Sequence, residues 1–325
     1  MALQLQAPGL TSQTTKTTCG SELFSHARLP TQLEKPVLVL IHGFPNTNYL
    51  WRKVIQHLPA NQPIFIPDMP GYGESTPSSA GSDKRTVGYA ILEALSKLLK
   101  HSPRPIPVVL AGHDRGARVC HRLATDFAWP AAIGRDTPIA SILQEFELKG
   151  TACIDTVPEI EQWASFEHGR VAKSTFHWPF LANVEMATAM ISAYGAAKWC
   201  KKMCIRWAGL KEQIETESAQ EVYAQAFSKP ENLRAACMDY ECGAGIDFER
   251  QVKDQKEGRK FKGPFLAMWS ATYLGSRFNC PEIWGRYMAD GGESGVFVPV
   301  GEKAGHFLPE EAPVSLAENL TKLIG

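Results

Sequence analysis

The sequence predicts an α/β fold: a mostly parallel central sheet with helices on both faces and a helical cap inserted between two strands. Three observations carry this. Short apolar runs without polar alternation recur at 36–45 (PVLVLIHGFP), 107–114 (PVVLAGHD) and 264–270 (PFLAMWS), as expected of strands buried on both faces. Segments with helical spacing, such as 86–100 (TVGYAILEALSKLLK), alternate with these runs, and such alternation implies parallel strands joined by covering helices. Residues 157–252 break the alternation with helical pattern alone. The expected organisation is therefore a core in two parts, 1–156 and 253–325, with 157–252 as the cap.

The first 35 residues are polar and rich in Thr and Ser, consistent with one or two edge strands behind a loose tail. After the 36–45 strand, PIFIPDMPGYGES (63–75) reads as a second buried strand running into a Gly-rich turn. The helix at 86–100 follows, then the strand at 107–114 and a helix over 115–127 (RGARVCHRLATDF). The stretch 128–146 is longer than a usual helix-to-strand connection and reads as an extra loop or short helix. GTACIDTVPE (150–159) is a fourth strand, and a long Ala-, Trp- and Met-rich helical stretch runs from it to about 250. PFLAMWS and VFVPV (296–300) are further strands, and APVSLAENLTKLI (312–324) closes the chain as an amphipathic helix.

With 325 residues, 44% of them hydrophobic, the chain can bury a sizeable core. Lys plus Arg equals Asp plus Glu at 34 each, which argues against a nucleic-acid footprint or a polybasic membrane anchor. No apolar run approaches the ~18 residues of a membrane-spanning helix, and the N-terminus lacks the pattern of a signal peptide. A cytoplasmic location is expected. The eight cysteines form no C-x-x-C pair and read as reduced core thiols. Cys200 and Cys204 share a helical spacing but have no histidine at ligand distance, so no metal is expected.

The chemistry starts at Gly112-His113-Asp114-Arg115-Gly116. The two glycines permit the tight strand-to-helix turn that lifts a nucleophile into a site, a position usually held by serine. A carboxylate there suits attack on saturated carbon: it displaces a leaving group and forms an ester that water can hydrolyse. The plain alternative is a helix N-cap aspartate. The helix beginning at Arg115 favours an anion at its start. Ester hydrolysis needs a base, and His306 follows the last strand in a Gly-flanked loop, GEKAGHFLPEEAP (301–313). Asp155, just after the fourth strand, is the candidate orienting acid, with Glu159 one turn further on. The backbone N–H groups of Phe44, in HGFP (42–45), and of Arg115 are candidates for an oxyanion hole.

These motifs, with HWPFLA (177–182), DYECGAGID (239–247) and GHFLPEEAP (305–313), resemble those of the haloacetate (fluoroacetate) dehalogenases. That family has the α/β-hydrolase fold and is related to the epoxide hydrolases and haloalkane dehalogenases. The resemblance covers nearly the whole chain from residue 36. It implies Asp114 as nucleophile, His306 as base and Asp155 as acid. It also implies Arg115 and Arg118 as a grip on a substrate carboxylate, a role that suits guanidinium forks three residues apart on one helical turn. His177, Trp178 and Tyr240 would hold the departing halide, with Trp207 and His113 as pocket walls. The substrate implied is a small 2-haloacid; no cofactor is implied, and homodimers are common among relatives. Two features depart from the pattern: the long 128–146 connection, and a basic, cysteine-bearing stretch at 194–209.

The main alternative is an epoxide hydrolase using the same triad. Epoxide opening needs two phenols on the ring oxygen, yet only Tyr240 is well placed, since the other expected position carries Pro179 or Phe180. A non-catalytic receptor on a hydrolase scaffold is a third reading, opposed by the complete set of nucleophile, base and acid.

Overall fold

The computed structural model describes residues 5–134, 138–301 and 303–325. Among these, eight strands form one sheet in the order β1-β2-β4-β3-β5-β6-β7-β8. They are β1 (Thr11–Lys16), β2 (Glu22–Arg28), β3 (Val37–Ile41), β4 (Ile64–Pro67), β5 (Ile106–His113), β6 (Phe146–Ile154), β7 (Phe265–Ser270) and β8 (Gly295–Val300). β1 and β2 form an antiparallel edge, and every pairing from β4 through β8 is parallel. The fully apolar runs explain the centre: every residue of β3, β4 and β7 is buried, as required when helices cover both faces.

The helix Arg115–Ala128 packs against β5 and β6, and the helix Lys84–Leu98 packs on it in turn. Between β6 and β7 the residues from Glu159 to Lys256 form a series of helices with no strand, in the place expected for the cap. Two buried apolar clusters result. One joins the sheet to the cap through Phe44, Trp199, Trp207, Phe227 and Tyr240. The other lies around Phe261, Phe265, Trp284 and Tyr287. Cys200 and Cys204 are both buried in the first cluster, and all eight cysteines are free thiols. Among the described residues no helix is long and apolar enough to cross a membrane.

Two details differ from the sequence expectation, the start of β6 and a helix between β7 and β8, while the 128–146 connection holds the short helix expected of it. β6 begins at Phe146 rather than 150, because Phe146 and Glu147 pair with Ile106 and Pro107 of β5. The 128–146 connection holds a short 3-10 turn, Pro130–Ile133, and a helix, Pro138–Gln144; residues 135–137 within it lie outside the described residues. A helix at Cys280–Tyr287 links β7 to β8. It is short and carries Pro281 and Gly285, so its periodicity is faint, yet a parallel crossover needs such an element.

The helix after β5 sits unusually close to β3. A Cβ added at Gly116 would lie 2.3 Å from the His42 carbonyl oxygen and 2.4 Å from that of Ile41. Both obstacles are backbone at the end of β3 and just after it, and cannot rotate away. Gly116→Ala should therefore destabilise the protein by roughly 1–3 kcal/mol or more, the scale of overpacking. Gly169→Ala, where nothing lies within 4 Å, should leave the guanidinium unfolding midpoint almost unchanged. Equal midpoints for the two variants would refute this account of the β3–helix contact.

Candidate active site

Asp114 occupies the single residue between β5 and its helix, with φ +50° and ψ −113°. Glycines make this turn possible on three sides. A Cβ at Gly112 would fall 2.4 Å from the backbone of Gly116, and one at Gly43 would fall 2.6 Å from Asp114 Cβ. The same approach brings the Phe44 N–H to Asp114 Oδ2, which accepts its hydrogen bond at 3.0 Å. Burial alone would raise the Asp114 carboxyl, but His306, Arg118 and Arg115 outweigh it and hold the group below the ordinary carboxylate value.

Asp155 ends β6, with its N–H on the Met268 carbonyl of β7 at 2.8 Å and φ +47°. That left-handed turn aims its carboxylate across the strand ends. Oδ1 accepts the Ser270 N–H at 2.8 Å, and Oδ2 lies 2.6 Å from His306 Nδ1. With Nδ1 donating to Asp155, the neutral imidazole carries its basic lone pair on Nε2. Burial works against the imidazolium, but the hydrogen bond and charge of Asp155, helped by Asp114, raise His306 above its ordinary value. Glu159 points elsewhere, so the structure brings Asp155, and not Glu159, to the histidine.

His306 itself is fixed from two sides. Its N–H donates to the Trp207 carbonyl of the cap at 2.9 Å. Glu311 Oε2 accepts the N–H groups of Gly305 (2.7 Å), Gly209 (2.9 Å) and Leu210 (2.7 Å), and Oε1 accepts that of Phe307 at 3.0 Å. One carboxylate thus ties the histidine loop to the cap loop after Trp207. His113 stands behind: its Nε2 donates to the His306 carbonyl at 2.8 Å. Burial lowers its value to about 3, so its ring is neutral. It does not line the cavity, in contrast to its expected place in the pocket wall.

The cavity at Asp114 is lined on the cap side by His177, Trp178, Trp207 and Tyr240. The Tyr240 ring stands edge-on to Phe44, Trp178 and His177, at 5.2, 5.3 and 5.9 Å between centroids. His177 and Trp207 lie 4.4 Å apart, and His177 Nδ1 and Trp207 Nε1 are buried without a partner in the protein. Burial keeps His177 neutral, at about 3. Unpaired buried donors beside a cavity are costly unless a ligand or water meets them.

The two arginines differ. Arg115 is fully buried and does not line the cavity. Its Nη2 donates to the Asp239 carbonyl and to Asp239 Oδ1, each at 2.8 Å, and Lys84 pairs with the same carboxylate. Arg118 does line the cavity, stacked 4.4 Å from the Trp178 ring. Sequence reasoning missed Tyr273 and Arg277, which also line it, with the guanidinium 4.7 Å from the phenol ring. They follow β7 in WSATYLGSR (269–277), where no motif or spacing marks them as facing the cavity. The arrangement as a whole offers an ionised carboxylate with an N–H on one oxygen, a histidine paired with a second carboxylate, and a wall of neutral donors.

The chain is similar to known proteins in sequence and in fold. Residues 36–149 match the family model for the α/β-hydrolase fold. Fluoroacetate dehalogenase from Burkholderia sp. is 24% identical over 256 residues, 78% of either chain. Soluble epoxide hydrolase from Corynebacterium sp. (strain C12) is 27% identical over 286 residues, 88% of either chain. Among solved structures, a Pseudomonas aeruginosa protein provisionally named an epoxide hydrolase aligns with a TM-score of 0.77 at 26% identity, covering 97% of this chain and 95% of that one.

The His306–Asp155 pairing has a direct spectroscopic consequence. An NMR titration of the His306 imidazole should give a midpoint above the ordinary 6.5. Asp155→Asn should lower it, because the imidazolium loses its hydrogen-bond acceptor and its counter-charge. A wild-type midpoint below 6.5 would contradict the pairing.

Proposed function

We propose that this chain, a hydrolase of the α/β-hydrolase fold with Asp114 on the turn after β5, acts at saturated carbon with Asp114 as nucleophile, through an aspartyl-ester intermediate. The reading favoured is hydrolytic dehalogenation of a 2-haloacid such as fluoroacetate or chloroacetate. The observation that carries it is the Asp114 carboxylate, held below its ordinary value on its positive-φ turn, in one cavity lined also by His177, Trp178 and Tyr240. The likeness to a fluoroacetate dehalogenase supports the same reading.

In the first step an Asp114 oxygen attacks the carbon bearing the halogen. The C–O bond forms as the carbon–halogen bond breaks, and the halide leaves with the electron pair toward the cap donors. These donors stabilise charge that appears only as the bond breaks, so they act on the transition state. Arg118 would meet the substrate carboxylate, with Arg115 behind it. In the second step His306 takes a proton from water, and the hydroxide attacks the Asp114 carboxyl carbon. The N–H groups of Phe44 and Arg115 would hold the resulting oxyanion. Collapse expels the product as an alkoxide, which takes the proton from His306 to become the 2-hydroxy acid, and leaves Asp114 as a carboxylic acid, whose loss of a proton restores the carboxylate. The net products are the hydroxy acid, a halide and a proton.

An epoxide hydrolase is the second reading, and one observation favours it: Tyr273 joins Tyr240 in the cavity lining, so two phenols are present where the sequence offered one. Parallel assays of halide release from haloacetates and of diol formation from a styrene-oxide-type epoxide separate the two.

Removing the base should stop the second step and spare the first. His306→Asn, incubated with substrate, should release about one halide per site and then stall. Intact-protein mass spectrometry should show one added alkyl acid, mapped to Asp114; Asp114→Asn should show neither burst nor adduct. Binding of substrate without an adduct in the His306 variant would point to direct attack by water.

The cap donors should matter most for the most concentrated leaving charge. Tyr240→Phe should slow fluoroacetate turnover by roughly 10–100-fold, the equivalent of one charged hydrogen bond, and chloroacetate turnover by clearly less. An equal effect on both would reduce Tyr240 to a wall of the pocket.

A further inference from the structure

Glu159 opens the short helix Glu159–Ala164 and is fully buried. Its carboxylate lies between the two arginines, with Oε1 3.4 Å from Arg115 Nη1 and Oε2 3.5 Å from Arg118 Nη1. These are ion pairs without hydrogen bonds. Both Glu159 oxygens, Arg115 Nη1, and Arg118 Nε and Nη1 are buried and have no hydrogen-bond partner in the protein. The helix Pro230–Ala244 seals the group from outside: a Cβ at Gly243 would lie 3.1 Å from Glu159 Oε1 and 2.8 Å from Arg115 Nη2.

The two arginines are therefore already matched by two carboxylates, Asp239 and Glu159, before any ligand enters. A substrate carboxylate reaching Arg118 must approach a fixed negative charge beside the same guanidinium, inside a buried site where charges are weakly screened. The remaining cation of the lining is the half-buried Arg277.

We propose that Glu159 is a specificity-determining residue that holds down the affinity of this pocket for carboxylates, so that uncharged analogues compete with acids for the same place. The inference rests on the reading that Arg118 is where a substrate carboxylate arrives. It makes the charge selectivity of the pocket a property of one residue that touches both arginines and does not line the cavity.

The test uses inert ligands, so it does not depend on turnover. Binding of acetate and of its neutral isostere acetamide is measured by calorimetry at low ionic strength, on the wild-type protein and on Glu159→Gln, which keeps the shape and removes the charge. Acetate should bind the variant at least about tenfold more tightly than the wild type, the scale of one buried like-charge interaction, while acetamide changes little. An unchanged or weaker acetate affinity in a folded variant, or no binding of either ligand to either protein, overturns the proposal. Should the variant fail to fold, the wild type decides alone: a preference for acetate over acetamide of about tenfold or less supports the proposal, and a larger one refutes it. Halide release is scored separately. A wild-type protein that releases no halide from haloacids defeats the dehalogenase reading, while the acetate measurements still judge Glu159.

Discussion

The backbone at Asp114 is the constraint from which the site is built. A non-glycine residue at φ +50° stores on the order of 1–3 kcal/mol of strain, and it persists only because the surroundings leave no alternative. Gly112, Gly116 and Gly43 supply that enclosure by letting three backbone segments meet with no side chain between them. From this one contact follow the position of the carboxylate, the Phe44 N–H upon it, and the direction of the helix that brings Arg118 to the cavity.

Around this turn the charges are paired in layers. Asp114 faces His306 and the arginines; Arg115 is held by Asp239, which Lys84 also meets; Asp155 holds His306. A similar cluster, Arg52 with Glu310 and Tyr223, fastens the start of the core to the cap. Buried pairs of this kind add little net stability, because desolvation offsets their attraction, but breaking one by removing a single partner is costly. Their effect is to fix which side chain faces the cavity: Asp239 turns Arg115 away from it, and Arg118 is left to line it.

What was legible in the sequence was local. The spacing Gly112-x-Asp114-x-Gly116, the apolar strands and the late Gly-flanked His306 each lie within a few residues, and each has a local steric or hydrogen-bonding cause. Asp155 could be placed because it ends a strand. The rest depends on segments that meet only in three dimensions. That Glu159 faces two arginines and not His306 is decided by the packing of the helix Pro230–Ala244. Nothing local marks Glu311 within GHFLPEEAP, yet it gathers four N–H groups from two loops about a hundred residues apart in sequence. Tyr273 and Arg277 reach the cavity because β7 lies beside β6. His113 adjoins Asp114 in sequence, but the positive φ of Asp114 turns the His113 ring behind His306.

The cap leaves and rejoins the core at neighbouring points, since β6 and β7 pair side by side and Asp155 holds Ser270 by a hydrogen bond. In polymer terms it is a closed loop whose ends are pinned by the sheet. The entropy of closing such a loop grows only with the logarithm of its length, so doubling the excursion would cost about 0.6 kcal/mol. The fold can therefore accept large changes in the covering helices at little thermodynamic penalty while the strand ends stay as they are. Divergence of substrate range by insertion, deletion or replacement within the cap is the inexpensive evolutionary route, and change at the strand ends the expensive one.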